Sequence, residues 1–407
     1  MDAIGYLFTA LSQKNSARFI FVGEISKIFN KISHKWLLEN IPINKKILME
    51  WLTCGHLFKG KIIKLNEGFS NGNRIYPLVV NIVLNSLSQA IKDGLPGNKT
   101  AKREMKVNYV RFADKFIVTA GKKEMIINFI IPVINKFLSE RGLTLNNYKT
   151  KIVEISQKGG FNFLGFNIKK YKRLKGEVLI IKPMRESILN LFSILRKSFK
   201  QMKGYPELFI IKKINNILIE WANYYKGVVS KKAFSKVDNY VFWLVWRFLL
   251  KKYPTLGLRE LRKKFFKKKG GKNWVFSVLT NTGMEITLRR LSEITIKRHI
   301  ICQPLNLYLP ENFKYFREKI AKNLRDLEYS DPRIQKLLIK QKGICLVCNE
   351  LLNLQEKWEV HHVKPKKLGG KNDIKNLIVL HQMCHSQVTH TKDPKLLAIF
   401  KKKGIIK

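Results

Sequence analysis

Residues Tyr109–Ala120 read YVRFADKFIVTA: two runs of strand-forming residues meet at one polar pair, Asp114 and Lys115. β-branched and aromatic residues on both sides of a short polar break predict two strands joined by a tight turn. A carboxylate at the tip of such a turn is well placed to meet a cation, but a lysine beside it opposes that use. The stretch is therefore read as a metal-presenting turn, a disabled one, or an ordinary hairpin, and its surroundings must decide.

The surroundings are strongly basic. The chain has 407 residues, 45% of them apolar, with 78 Lys+Arg against 29 Asp+Glu and a formal charge of +49. That length and apolar content can fill the cores of several domains. The charge says nothing of fold but predicts attraction to polyanions, nucleic acid first among them. Abundant Lys, Asn and Ile fit an A+T-rich coding sequence, which explains part of the lysine excess but not the shortage of acids. No apolar run reaches the ~18 residues a membrane span requires. The opening MDAIGYLFTALSQ lacks a basic leader and predicts neither a secretory signal nor a transit peptide. Cys54 and Cys302 stand apart from the other three cysteines and are expected to be buried thiols.

The texture changes along the chain. Up to about residue 183, GEISKIF, VNYVRFA, FIVTAGK and GFNFLGFNI read as strands. In the same region SHKWLLENI, NIVLNSLSQAIK and MIINFIIPVINKFLSERG read as helices, the last closed by Gly142. Residues 184–253 are predicted to be almost entirely helical. Over Ala233–Leu250, residues Phe234, Val237, Val241, Leu244, Val245, Phe248 and Leu249 fall on one face, and Pro254 ends the run. The segment KKYPTLGLRELRKKFFKKKGGK, 251–272, is the most basic. It reads either as a solvated loop with an apolar anchor or as a phosphate-binding surface. The second is the expectation, with Lys263, Lys264, Lys267, Lys268 and Lys269 supplying charge and Phe265, Phe266 and Trp274 stacking.

The C-terminal segment is the most specific. Cys345 and Cys348 form a CxxC pair, and His381 and Cys384 repeat the spacing further on. Two such pairs can close a tetrahedral Zn²⁺ site of structural type. Between them lie EVHHVKP with His361 and His362 at a predicted strand end, a GG loop and Asn376, and His385 follows on a predicted helix. Structural zinc alone leaves these four residues unexplained.

This segment resembles the HNH endonucleases, which have a ββα-metal fold. The resemblance implies that His361 and His385 hold a catalytic Mg²⁺ or Mn²⁺, that His362 is the general base, and that Asn376 braces the site. Many relatives carry a further metal-binding His four residues past the position of His385. Here that position is Thr389, with His390 one later.

With that ending, the chain resembles group II intron-encoded proteins. GEISKIFNKISHKWLLENIP, GFSNGNRIYPLVVNIVLNSL, YVRFADKFIV and RGLTLNNYKTKIVEI resemble palm segments of their reverse transcriptase. IEWANYYKGVVSKKAFSKVDNYVFWLVWRFLLKKYP, with Trp221, Asn223, Tyr224, Tyr225 and Asp238, resembles their maturase thumb. The fold class implied is multidomain α+β. A truncated, degenerate palm spans 1–183, a helical thumb 184–275, a basic DNA-binding connector 276–335, and an HNH domain with a zinc knuckle 336–407.

Against that family, the first-strand Asp is Glu24, the second Asp of the YADD turn is Lys115 beside Asp114, the next motif Asp is Asn30, and the template segment reads SNGN. The chain also begins near the first catalytic strand, so most of the fingers region is expected to be missing. A two-cation polymerase needs exact carboxylate placement, so the turn is read as disabled. Group II intron RNA and target DNA are the implied partners, with no membrane and with oligomeric state undetermined. Three functional readings remain: an endonuclease with an RNA-binding body, a non-enzymatic maturase with an inert HNH domain, and a decaying reading frame. The composition fits an organelle-encoded, plastid protein, with a bacterial cytoplasm as the alternative.

Overall fold

The computed structural model describes residues 2–26, 31–54, 76–156, 159–174, 176–269, 271–280, 285–297, 332–352, 357–391 and 393–406, with isolated positions between 56 and 68 and between 314 and 322. Asn30, Cys302 and the SNGN segment lie outside these residues. One compact unit runs to Met184, and a second begins at Arg185.

In the first unit, α1 (Asp2–Leu11) precedes β1 (Phe19–Ser26). Two short helices come next, α2 (His34–Asn40) and α3 (Lys45–Thr53), each capped by a side chain, Ser33 and Asn44 respectively. A small hairpin, β2 (His56–Phe58) and β3 (Lys61–Ile63), leads on to α4 (Tyr76–Asn85), α5 (Leu87–Asp93) and α6 (Lys99–Glu104). The opening stretch then forms β4 (Asn108–Phe112) and β5 (Lys115–Ala120), joined across Ala113 and Asp114. Ala113 takes a positive φ of 53°, the left-handed geometry a two-residue turn demands. A helical run with a π turn at Ile126–Ile130 ends in α7 (Ile131–Ser139), and Gly142 comes after it at φ 72°. Strands β6 (Thr144–Leu145) and β7 (Lys151–Glu154) complete a five-stranded sheet of order β4-β5-β1-β6, in which β7 also pairs with β1. A second, three-stranded meander contains β8 (Gly160–Phe163), β9 (Phe166–Arg173) and β10 (Gly176–Pro183).

The helices bury Leu37, Leu48, Val83, Leu87, Ile134 and Leu138 on one core with Phe21, Phe116 and Val118 of the large sheet. Gly23 is the register partner of Phe116, and a Cβ there would lie 2.3 Å from the Phe116 ring. The ring occupies the space that a side chain at position 23 would need. Cys54 corrects the expectation of a buried thiol. It is exposed, because it caps α3 and turns its Sγ toward the Trp51 carbonyl at 3.3 Å.

The second unit opens with three long helices, α8 (Arg185–Gln201), α9 (Glu207–Tyr225) and α10 (Lys231–Lys252), as the periodicity predicts. On α10 the buried residues are Phe234, Val237, Val241, Val245, Phe248 and Leu249, while Leu244 is only partly covered. Phe192 of α8 stacks on Tyr240 at 3.8 Å between ring centroids. The basic segment is an ordered element rather than a loop: α11 (Leu258–Phe265) runs into β11 (Phe266–Lys269), which pairs with β12 (Lys272–Leu279) and through it with β13 (Glu285–Thr287). Thus β12 runs across the expected 275/276 division. Two polar side chains pin β13 and the residues after it to the helices. Asp238 accepts from the backbone N–H groups of Leu291 and Ser292 at 2.7 and 2.9 Å, and Asn215 bonds the backbone of Thr287 and Arg289.

The C-terminal part contains α12 (Pro332–Lys340), β14 (Trp358–His362), β15 (Leu377–His381), α13 (Gln382–His390) and α14 (Pro394–Lys402). Leu337, Leu338, Val379, Leu380, Val388 and Phe400 fill its core. Buried Gln341 clamps β15, accepting from Val379 N at 2.7 Å and donating to Val379 O at 2.9 Å.

Because Phe116 fills the volume over Gly23, Gly23→Ala is expected to destabilise the first unit by about 1–3 kcal/mol. The same change made in a Phe116→Leu background should cost less, since the two positions share one space. Chemical denaturation of the four chains measures this coupling. Equal losses in both backgrounds would contradict the packing described.

Candidate metal centres and nucleic-acid surface

At the tip of the β4–β5 hairpin, β1 and β5 pair Glu24 directly with Lys115. Lys149 Nζ lies 2.7 Å from Glu24 Oε1, and Lys115 Nζ lies 3.8 Å from Oε2. The hydrogen bond to Glu24 holds the Lys149 ammonium above its ordinary value. Asp114 is half-buried on the same tip, and its carbonyl accepts from Ile25 N at 2.9 Å. Glu24, Asp114 and Lys115 thus lie together at this tip, with Lys149 a member that sequence reasoning did not single out. Both Glu24 oxygens face ammonium groups, so the charge a cation would have met is already neutralised.

The four knuckle residues also converge. Ligand atoms of Cys345, Cys348, His381 and Cys384 all lie within 4.8 Å of one another. His381 Nδ1 is 3.4 Å from Cys348 Sγ, while its Nε2 lies 3.1 Å from the Leu351 carbonyl. Donation of the Nε2 proton to that carbonyl leaves Nδ1 as a lone pair aimed at the sulfurs, an arrangement usual for metal-bound histidine. Burial raises the Cys345 thiol, but backbone hydrogen bonds from Cys348, His381 and Val347 outweigh it and hold Cys345 below its ordinary value. Burial, with the neighbouring Cys345, pushes Cys384 up to about 12. The cluster cannot carry several negative charges on its own, and a cation among the sulfurs would remove that conflict. The donor set fits a metal.

A second group lies toward the other end of the β14–β15 pair. His361 is buried, and among the described residues its Nε2 has no hydrogen-bond partner. Its ring lies 5.2 Å from that of His385 on α13. Burial first, then the adjacent His385 and His362, lowers the His361 imidazole to about 4, so it is neutral and has a lone pair to give. His385 Nδ1 is 2.6 Å from Glu359 Oε2, which leaves the other nitrogen of His385 for a cation. Glu359 is a second residue that the sequence reading missed. Its signal is the period of two along β14, which puts it on the same face as His361.

His362, one residue on, faces the other way and lines a cavity of about 200 Å³ with Arg333, Lys366 and Asn372. Its Nε2 is 2.8 Å from Asn372 Oδ1. Asn376 does not reach these rings. Its amide accepts from Lys364 N at 2.8 Å and donates to Lys364 O and Lys371 O at 3.0 and 2.9 Å, locking the loop beyond the histidines. Thr389 Oγ1 donates to the His385 carbonyl at 2.7 Å.

The basic segment is corrected in part. Lys263, Lys264, Lys267, Lys268 and Lys269 are all exposed, but Phe265 and Phe266 are buried and cannot stack on a ligand. They face inward because α11 and β11 pack them on Phe276. Trp274 keeps an exposed edge beneath Arg262, 4.5 Å from the ring centroid. Lys267 and Lys269 share Glu285 at 3.5 and 3.4 Å.

Known families match the chain in the same order. Residues 4–168 match the reverse transcriptase (RNA-dependent DNA polymerase) family. Residues 190–270 match the group II intron maturase-specific domain, and residues 345–391 match the HNH endonucleases. The three matches in this order support a group II intron-encoded protein. A curated relative, Protein YkfC of Escherichia coli K12, is 27% identical over 196 residues, covering 40% of this chain and 50% of its own, so the chain spans half the length of that relative. Among solved structures, apo telomerase from Candida tropicalis, truncated from its C-terminal domain, aligns at TM-score 0.29 and 13% identity over 41% of this chain and 36% of its own. Candida albicans telomerase with a telomeric RNA fragment aligns at TM-score 0.31 and 11% identity over 59% of this chain and 48% of its own.

Asn376→Ala would leave two backbone carbonyls and one N–H unpaired at the loop. The expected loss is about 1–3 kcal/mol in thermal unfolding of the C-terminal domain. An unchanged melting curve would show that the loop is held by other means.

Proposed function

We propose that the chain is a maturase which binds its intron RNA and target DNA, nicks DNA through its HNH centre, and no longer polymerises. The observation that carries this reading is the paired imidazoles of His361 and His385, one with an unpartnered buried Nε2 and the other steadied by Glu359. These two would hold Mg²⁺ or Mn²⁺. Such a cation, when bound, steadies developing charge on the scissile phosphate. His362 is the base: donating its Nε2 proton to Asn372 leaves Nδ1 free to accept a proton from water. Asn376 sets the loop geometry without touching the reacting atoms. Cys345, Cys348, His381 and Cys384 would hold Zn²⁺, whose preference for thiolate and imidazole in a closed four-ligand set makes the site structural.

Polymerase chemistry is read as lost because Glu24 faces Lys115 and Lys149 where two cations would be needed. One observation favours a non-enzymatic maturase instead. Thr389 stands where relatives supply another histidine, and its hydroxyl donates to the His385 carbonyl, so the position offers no imidazole.

The deciding experiment is nicking of labelled duplex DNA by the purified chain with and without Mg²⁺ or Mn²⁺. The wild type should nick only with the cation. His362→Ala should lower the rate at least ~100-fold while zinc content and DNA affinity stay as they are. A wild type that never nicks would hand the assignment to the non-enzymatic reading, and an equally fast His362→Ala chain would remove His362 from its role.

Primer extension on RNA or DNA templates should be absent. Incorporation that disappears in Asp114→Ala would show a working palm and refute the loss of polymerase chemistry.

A further inference from the structure

The outer face of α10 carries a strip that neither the basic segment nor the metal centres use. Lys232, Lys236, Asn239, Trp243, Arg247 and Lys251 are all exposed and succeed one another at steps of four, three, four, four and four residues. Such steps keep side chains on one line along a helix. From first to last the line is about 28 Å long at 1.5 Å per residue. The opposite face holds the buried residues from Phe234 to Leu249, so the strip cannot rotate out of solvent.

Its charge is of one sign. The acid on this helix, Asp238, is turned inward, with both oxygens occupied by the backbone of Leu291 and Ser292. Among the described residues, none of Lys232, Lys236, Arg247 or Lys251 has a carboxylate within the 4.0 Å ion-pair distance, whereas Lys252 is paired with Glu207 at 2.6 Å and Lys267 with Glu285 at 3.5 Å. In the middle of this line Trp243 is 50% exposed, and Phe242 meets its ring edge-on at 5.4 Å between centroids. A single exposed apolar residue is ordinary on a protein surface, and what distinguishes this one is the line of unpaired cations on either side of it. A steadied indole face set among unpaired cations matches an unpaired nucleotide base between phosphates. A duplex would present phosphates but no free base face.

We infer that this face of α10 binds single-stranded RNA, with Trp243 stacking on an unpaired base and Lys232, Lys236, Arg247 and Lys251 neutralising the flanking phosphates. The inference rests on the nucleic-acid-binding reading above and adds the surface and the strandedness of its ligand. Asn239 adds an amide that can bond a base edge or a sugar hydroxyl.

The test uses the full chain, a labelled oligouridylate and an RNA duplex of equal length. Trp243→Ala should weaken oligouridylate binding about 5- to 150-fold, the cost of one lost base stack, and leave duplex binding unchanged. Trp243→Phe, which retains a ring, should recover most of the affinity. Changing Lys236 and Arg247 together to Gln should flatten the log–log salt slope by about 1.4, roughly 0.7 for each phosphate contact. Thermal unfolding should be the same for wild type and the Trp243 variants, since half of the indole is already in water. The inference is overturned if Trp243→Ala binds oligouridylate as the wild type does, or loses duplex affinity to the same extent. It is also overturned if a polyglutamate peptide binds in a Trp243-dependent way, which would assign the strip to an acidic protein. Strong wild-type binding with unaffected variants removes only the strip, whereas a wild type that binds no RNA at low salt removes the nucleic-acid reading as well.

Discussion

The register of β1 on β5 is the constraint on which the first unit depends. Gly23 must face Phe116, because a residue with a Cβ would meet the ring, and the ring in turn meets Phe21 and Tyr109. A slip of one residue would turn every side chain of β1 to the other face. Once this pair is set, the next one is Glu24 with Lys115. The electrostatics of the hairpin tip are therefore a consequence of packing one residue away. Lys149 completes the neutralisation from beyond β6. The Glu24 carboxylate is thus shared between two lysines at this tip.

The C-terminal domain separates two candidate donor sets along one short ladder. His381 closes β15 opposite Trp358, and His362 closes β14 opposite Leu377, about 13 Å away along the strands. Cysteine sulfur collects at the first end, and the paired imidazoles of His361 and His385 lie toward the second, with Glu359 reaching His385 from one residue inside the first end. The softer set suits a structural ion and the harder one a cation that must also meet phosphate oxygen. Gln341 and Asn376 tie the backbone at Val379 and Lys364. Hydrogen bonds of this kind in a small domain keep two centres at a fixed separation, which hydrophobic contact alone would leave looser.

Net charge is a poor map of where a polyanion would lie. The most basic stretch of the chain spends Lys267 and Lys269 on Glu285 and buries both of its phenylalanines. The strip on α10 is less dense in sequence, yet among the described residues its cations have no acidic partner, and its tryptophan is open. A nucleic-acid strand responds to the charge left unpaired and the aromatic face left uncovered.

The periodic patterns determined the long elements: α8, α9 and α10, the β4–β5 hairpin and the buried face of α10 were all legible, because a repeat of 3.6 or 2 reflects burial directly. The paired CxxC and HxxC spacings likewise announced a four-ligand cluster, since short motifs carry their own geometry. Other features required the tertiary structure. Lys149 joins Glu24 from 125 residues away, Glu359 meets His385 across a helix and a strand, and Asn372 reaches His362 from the far side of a loop. Cys54 proved exposed, although an isolated thiol is expected to be buried, and Phe265 and Phe266 proved buried, although their basic surroundings suggested rings open for stacking. Local sequence encodes what neighbours along the chain can do. Which distant charge, amide or ring shares the same few ångströms is decided only when strands take their register and helices their packing.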